Sequence, residues 1–230
     1  MTDFNALQAT LGITFKEISL LEVALVHSSY INENPQFALS SNERLEFLGD
    51  AVLGMVVAEK LYQDFPDFSE GQMTKIRGVL VCQEALARMA QAFKLGDYLY
   101  MGKGEEKSGG RQKPANLAGA MEAVIAAIYL DQDFLVARNF ILKSLDLEVQ
   151  RALNQTRGVD YKSELQELTQ ARQQKTPTYH LIGTTGPDHD KRFTVEVKLG
   201  NTVLGEGSGK NKKEAESEAA RLALSKLSTE

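Results

Sequence analysis

The sequence predicts a two-domain protein: an all-α domain followed by a smaller α+β domain of order αβββα. Three observations carry this. Up to about residue 153 apolar residues recur at helical spacing, from residue 193 to 199 they alternate with polar ones, and between these regions Gln155-Thr156-Arg157-Gly158-Val159 shows no periodicity. The expected boundaries are therefore 1–153 for the helical domain, 154–159 for a linker and 160–230 for the second domain. At 230 residues, 43% hydrophobic and 25% charged, the chain can build one large core and one small one.

In chain order, residues 3–12 and 17–27 read as short helices ending at His27-Ser28-Ser29-Tyr30, followed by a polar loop from Asn32 to Ser41. A long helix then runs to about Asp64, where Pro66 stops it. Ser40 and Glu43 have the spacing of a capping box at its start, and Leu45, Leu48, Val52 and Met55 are expected on its buried side. A second long helical pattern extends from Ser69 to Phe93, with Glu70 in its first turn, where a carboxylate favours the helix dipole.

Residues 101–113 are rich in glycine and base and read as a mobile loop. They lack the Gly-Lys-Ser/Thr ending of a phosphate-binding loop and follow no clear strand, so no nucleotide cofactor is expected. Lys103, Lys107, Arg111 and Lys113 are either solvated there or in contact with a nucleic-acid backbone. Helices follow from Pro114 to Leu130 and from Phe134 to about Leu153.

In the second domain residues 161–173 read as a helix, and Thr178–Gly183 as a strand. Phe193, Val195, Val197 and Leu199 alternate with polar residues as in a half-buried strand, and Val203–Gly205 gives a third. Asn211 is placed to cap a last helix whose inner face is Ala215, Ala219, Leu222 and Ala223.

Net charge is −5, unevenly divided: residues 1–150 hold 13 Lys and Arg against 20 Asp and Glu, a balance of −7, and residues 151–230 hold 13 against 11, a balance of +2. An acidic first domain repels phosphate unless cations intervene. The N-terminus has no secretory pattern and no apolar run is long enough to span a bilayer, so no membrane association is expected. Cys82 is the single cysteine, which suits a reducing cytoplasm.

Chemistry concentrates in Asn42–Gly54. At 100° per residue Glu43, Glu46 and Asp50 fall within a sector of about 60°, and no Lys or Arg at 47, 53 or 54 relieves their repulsion. A cation from outside is the natural remedy. Glu122 sits among Met121, Ala123, Val124 and Ile125, where a charge needs a positive partner. The three histidines, His27, His180 and His189, are unclustered, so zinc is not expected.

The string Asn42-Glu43-Arg44-Leu45-Glu46-Phe47-Leu48-Gly49-Asp50-Ala51-Val52-Leu53-Gly54 resembles the signature of the ribonuclease III family, and Glu122–Asp131 resembles its second signature. The resemblance implies an Mg2+-dependent endoribonuclease, with Mn2+ as a substitute. It would cut both strands of double-stranded RNA into staggered products with 5′ phosphates and 3′ hydroxyls, in the processing of ribosomal and messenger precursors. It further implies that Glu46, Asp50 and Glu122 hold the metal, with Asp50 and Glu122 catalytic and Glu43 and Glu70 accessory. A homodimer is implied, and Phe47 is either its interface residue or ordinary core.

One position departs from the family. Gly119 stands where an aspartate is usual, one turn before Glu122. A water would take that ligand's place, Gly119→Asp would lower the Mg2+ requirement, and Gly119→Ala would leave it unchanged. The alternative function is a double-stranded RNA-binding regulator whose nuclease site has decayed.

Residues 158–227 resemble a double-stranded RNA-binding domain through Tyr161–Glu167, Gly186–Asp190 and Asn211–Glu216. That implies minor-groove contacts from Ser163, Gln166, Gln170 and His189, and phosphate contacts from Lys210, Lys212 and Lys213.

Overall fold

The computed structural model describes residues 3–156, 161–187 and 191–227, which divide into two compact units, Met1–Ala152 and Leu153–Glu230. The first is all helical: α1 Phe4–Leu11, α2 Ile18–Ala24, α3 Ser28–Glu33, α4 Glu43–Asp64, α5 Glu70–Leu80, α6 Gln83–Ala92, α7 Lys103–Lys107, α8 Pro114–Asp131 and α9 Phe134–Thr156. Its centre is α8. Leu117, Ala118, Ala120, Met121 and every residue from Ala123 to Ile128 are buried, because the run of alanines lets α2, α4 and α6 approach from several sides. Polar ties fix the periphery. Asp131 accepts from the N–H groups of Lys16 (2.9 Å) and Glu17 (2.7 Å), Arg88 grips Glu148 through two bonds of 3.1 and 2.6 Å, and Arg138 donates to Glu59 at 2.6 Å.

Several local expectations are corrected. Residue 42, not Ser40, caps α4: Asn42 is buried because its N–H donates to Val26 O (2.8 Å) and its side-chain amide to Ala24 O (3.3 Å). Met55 is 62% exposed, since ten residues of helix leave it about 80° from Leu45, while Val56 returns to within about 20° and is buried. The pattern from 69 to 93 is two helices, broken at Val81-Cys82, and α5 opens with a capping box of Ser69 and Gln72.

Residues 101–113 are not an open loop. They form α7 and a 3-10 turn at Gly110–Gln112, with Glu33 accepting from the N–H groups of Lys103 (2.8 Å) and Gly104 (3.2 Å). Two of the four cations there are used internally. Arg111 donates to Gly96 O, Leu99 O and Glu106, and Lys113 to Glu105 and Ser108. The last helix continues to Thr156, into the expected linker.

The second unit contains α10 Tyr161–Gln173, strands β1 Thr178–Thr185, β2 Arg192–Leu199 and β3 Thr202–Gly209 in an antiparallel sheet of order β1-β2-β3, and α11 Lys212–Leu227. All three strands are longer than their apolar residues indicate. Leu165, Val197, Ala219, Ala220, Ala223 and Leu224 form its core. Such small residues suffice because β3 offers glycines to α11: a Cβ at Gly207 would lie 2.2 Å from Ala219 N, and one at Gly205 2.6 Å from Ala219 O.

Candidate active site

Helix α4 presents Glu43, Glu46 and Asp50 along one side, and the same turns press Gly49 against α8. A Cβ at Gly49 would stand 1.9 Å from the backbone oxygen of Glu122, so the two helices meet backbone to backbone at the level of the acids. That crossing brings Glu122 beside Asp50 and Glu46. Burial first, then the charges of Asp50 and Glu46, push the Glu122 carboxyl up to about 7. Burial and then Glu43 raise Glu46 as well, opposed by His27.

Asp50 is exposed at the rim and Glu46 and Glu122 are partly buried. Among the described residues no three His, Cys, Asp or Glu side chains are already drawn close enough to surround an ion by themselves. What they offer is a set of oxygen donors whose mutual repulsion a divalent cation would relieve. Mg2+ suits that set because it keeps several waters and needs only one or two protein carboxylates besides substrate phosphates.

Of the other expected acids, Glu43 is near enough to raise Glu46, whereas Glu70 perturbs neither Glu46 nor Glu122. Glu43 is exposed and accepts from Ser41 Oγ at 2.7 Å. Glu70 is exposed in the first turn of α5, where it accepts from Thr74 at 2.8 Å, and it is not among the charges that perturb Glu122. His27 proves to be a helix cap: its Nδ1 accepts from the Ser29 N–H at 3.2 Å and lies 2.8 Å from Ser29 Oγ. Its influence on Glu46 and Glu105 brings it near the acids, which no sequence spacing signalled.

Gly119 faces Glu46. A Cβ there would lie 2.7 Å from Glu46 Oε2, the far end of a flexible side chain. Phe47 is 82% exposed, which rules out the core alternative. Beside it lies a groove of about 750 Å³ lined by residues including Leu20, Val23, Leu45, Leu48 and Leu130.

In the second unit Ser163, Gln166 and Gln170 are exposed on α10 at helical spacing, on one outward face. Lys210, Lys212 and Lys213 are exposed at the start of α11. Asn211 Oδ1 accepts from the Glu214 N–H at 2.9 Å, the cap expected from its position, and Glu214 reaches back to the Lys210 N–H at 2.9 Å. His189 lies outside the described residues.

A family model described as Ribonuclease-III-like matches residues 17–148, and one for the double-stranded RNA binding motif matches 161–227. Ribonuclease 3 of Dehalococcoides mccartyi is 52% identical over 224 residues, covering 97% of this chain and 94% of that one. The enzyme of Listeria monocytogenes is 43% identical over 228 residues, covering 99% of both. A crystal structure of the nuclease domain of ribonuclease III from Campylobacter jejuni, 39% identical, superposes with a TM-score of 0.59 over 64% of this chain and 96% of that one. A second structure of that domain concerns flexibility in the region involved in its dimer formation, at 38% identity and a TM-score of 0.59 over 64% and 98%.

Proposed function

Since this chain belongs to the ribonuclease III family and is an endoribonuclease acting on double-stranded RNA, we propose that Glu46, Asp50 and Glu122 hold the Mg2+ its chemistry needs, with Asp50 and Glu122 catalytic. The observation that carries this reading is the crossing at Gly49, which half-buries Glu122 beside Asp50 and Glu46, so that burial first and then their charges lift it to about 7. A divalent cation bound there would relieve that repulsion, in competition with a proton on Glu122. When bound, the metal activates water and neutralises charge on the phosphate, with Mn2+ able to replace it. Glu122 and Asp50 would orient the attacking water, and the partial burial of Glu122 would keep its carboxylate from bulk solvent. Attack of that water on phosphorus would break the bond to the 3′ oxygen, the water losing a proton and the 3′ oxygen gaining one from solvent, to leave a 5′ phosphate and a 3′ hydroxyl.

The accessory roles of Glu43 and Glu70 are weaker, since each is exposed with a hydrogen-bond partner and neither is among the charges that raise Glu122. The decayed-site alternative has no observation in its favour. We further propose a symmetric homodimer in which Phe47 of each copy enters the groove beside Phe47 of the other, an isologous contact. Two sites related by that axis would cut opposite strands and stagger the ends. Residues 1–153 form the nuclease domain in this reading, 154–159 the linker and 160–230 the RNA-binding domain. Ser163, Gln166, Gln170 and His189 meet minor grooves, and Lys210, Lys212 and Lys213 meet phosphate.

The substrates in this reading are structured ribosomal and messenger precursors in the cytoplasm, a compartment compatible with the lone thiol of Cys82. A perfect RNA duplex incubated with Mg2+ and with EDTA tests the metal requirement. Cleavage that persists in EDTA would sink it.

A further inference from the structure

His27 closes α3 with a larger side chain than a cap requires. Asparagine, aspartate or serine serves an N-cap at least as well, and none of them reaches further than the cap. The imidazole is fixed from two directions. Its backbone N–H donates to Tyr100 O at 3.0 Å, beside the Val26–Tyr100 bridge, and Val26 O accepts from the Asn42 N–H at 2.8 Å, where α4 begins. On the side chain, Nδ1 accepts from the Ser29 N–H at 3.2 Å and lies 2.8 Å from Ser29 Oγ, which itself accepts from the Gly102 N–H at 3.0 Å. A Cβ at Gly102 would stand 2.6 Å from Ser29 O, so the backbone before α7 is pressed onto this turn.

A backbone N–H can only donate, so Nδ1 is bare and the ring proton sits on Nε2. Among the described residues nothing accepts from Nε2: the ring's hydrogen bonds are those of Nδ1, and the buried side-chain atom without a partner is the Tyr179 hydroxyl. Nε2–H therefore opens to solvent. It does so within reach of the charges of Glu46 on α4 and Glu105 on α7, and Glu105 is already held by Lys113 at 2.8 Å and Asn116 at 2.9 Å. A phosphodiester drawn to a metal at the acids brings oxygens that the metal leaves uncovered, and a donor fixed beforehand meets them without reorganisation. We propose that His27 is an RNA-contacting residue, its Nε2–H donating to a non-bridging phosphate oxygen of the duplex beside the acids while Nδ1 holds the ring in place. Such a contact positions the strand and reads no base. The proposal rests on the reading of Glu46, Asp50 and Glu122 as the catalytic centre.

Two substitutions separate the halves of the ring. His27→Asn puts an amide oxygen near the place of Nδ1 and nothing at Nε2, whereas His27→Gln puts an amide nitrogen near the place of Nε2 and no acceptor at Nδ1. In cleavage of an RNA duplex by the full-length protein with Mg2+, His27→Asn should keep the native Tm within about 1 °C, since asparagine is a favoured cap. It should lose about ten- to hundredfold in kcat/KM, carried by KM, as for a hydrogen bond to a charged group made in the ground state. His27→Gln should unfold about 2–5 °C lower through loss of the cap and yet stay within about threefold of the native kcat/KM. If His27→Asn cleaves like the native protein, His27 is a cap and nothing more. Equal losses in both variants, or a loss in kcat with KM unchanged, would also overturn the contact. Should His27→Gln not fold, the KM of His27→Asn decides alone. Adding His27→Asn to Glu122→Gln should weaken filter binding of the duplex in Mg2+ by about tenfold, and unchanged binding would sink the contact. Cleavage retained by Glu122→Gln would sink the reading of the centre instead, so the two failures are told apart.

Discussion

Replacing Glu122 by glutamine is expected to abolish cleavage and to stabilise the protein. The amide keeps the size of the carboxyl but cannot ionise. In the folded chain Glu122 is lifted from 4.5 to about 7 by burial and by Asp50 and Glu46, so its charged form is disfavoured relative to the unfolded chain. That penalty is absent below about pH 4.5, grows as pH rises toward 7, and is complete above it. A displacement of this size corresponds to about 3 kcal/mol if fully expressed, and solvent screening at a half-buried carboxyl reduces it to roughly 1–1.5 kcal/mol. For a domain of about 150 residues this means a Tm higher by about 2–5 °C.

Thermal unfolding of native and Glu122→Gln protein in EDTA at pH 8 and at pH 4.5 measures it. The gain should be present at pH 8 and vanish at pH 4.5. Saturating Mg2+ should stabilise the native protein more than the variant, because the variant has lost a ligand. A gain of equal size at both pH values would refute the electrostatic account. Retained cleavage of duplex RNA would refute the metal assignment, whatever the stability.

Protons and metal should compete at Glu122, so the Mg2+ concentration for half-maximal cleavage should rise by up to about tenfold for each pH unit below 7; a flat titration between pH 6 and 7 would exclude the competition. Changing Lys212 and Lys213 together to alanine should weaken binding to all duplexes and flatten the logarithmic salt dependence by about two units of slope, as measured by filter binding from low to high salt. An unaltered slope would mean that neither lysine meets the backbone. Phe47→Glu should leave helix content unchanged, since the side chain is 82% exposed, and convert a dimer to monomer in sedimentation at micromolar concentration. Unchanged sedimentation would remove Phe47 from the interface.

The acidic stripe was legible because helical periodicity alone puts Glu43, Glu46 and Asp50 on one side, and the strictly alternating β2 was legible for the corresponding reason. What escaped depends on distant parts of the chain. Residues 101–113 look like a loop by composition, yet their order comes from Glu33, whose carboxylate accepts from Lys103 N across 70 residues of sequence. Asn42, not Ser40, holds the N-cap position, without a side-chain capping bond, because its N–H and side-chain amide are tied to Val26 O and to Ala24 O at the end of α2. The strands extend past their apolar residues because backbone pairing continues through glycine-rich β3, where no side-chain pattern remains to be read. The closeness of Glu46 to Gly119 was invisible for a related reason: a glycine declares that a side chain is missing but not what stands beside it.

The contact of Gly49 with the Glu122 backbone carries a consequence for how this enzyme can vary. Any codon change at 49 that alters the amino acid adds at least a Cβ, which would meet a carbonyl oxygen 1.9 Å away and wedge α4 from α8. Spreading those helices would move Glu46 and Asp50 on one side away from Glu122 on the other, so a mutational scan scored on RNA cleavage would rank an inert glycine alongside the acids. Substrate preference can therefore drift through the exposed faces of the second unit, while the spacing of the acids is inherited as a unit from two lengths of main chain in contact.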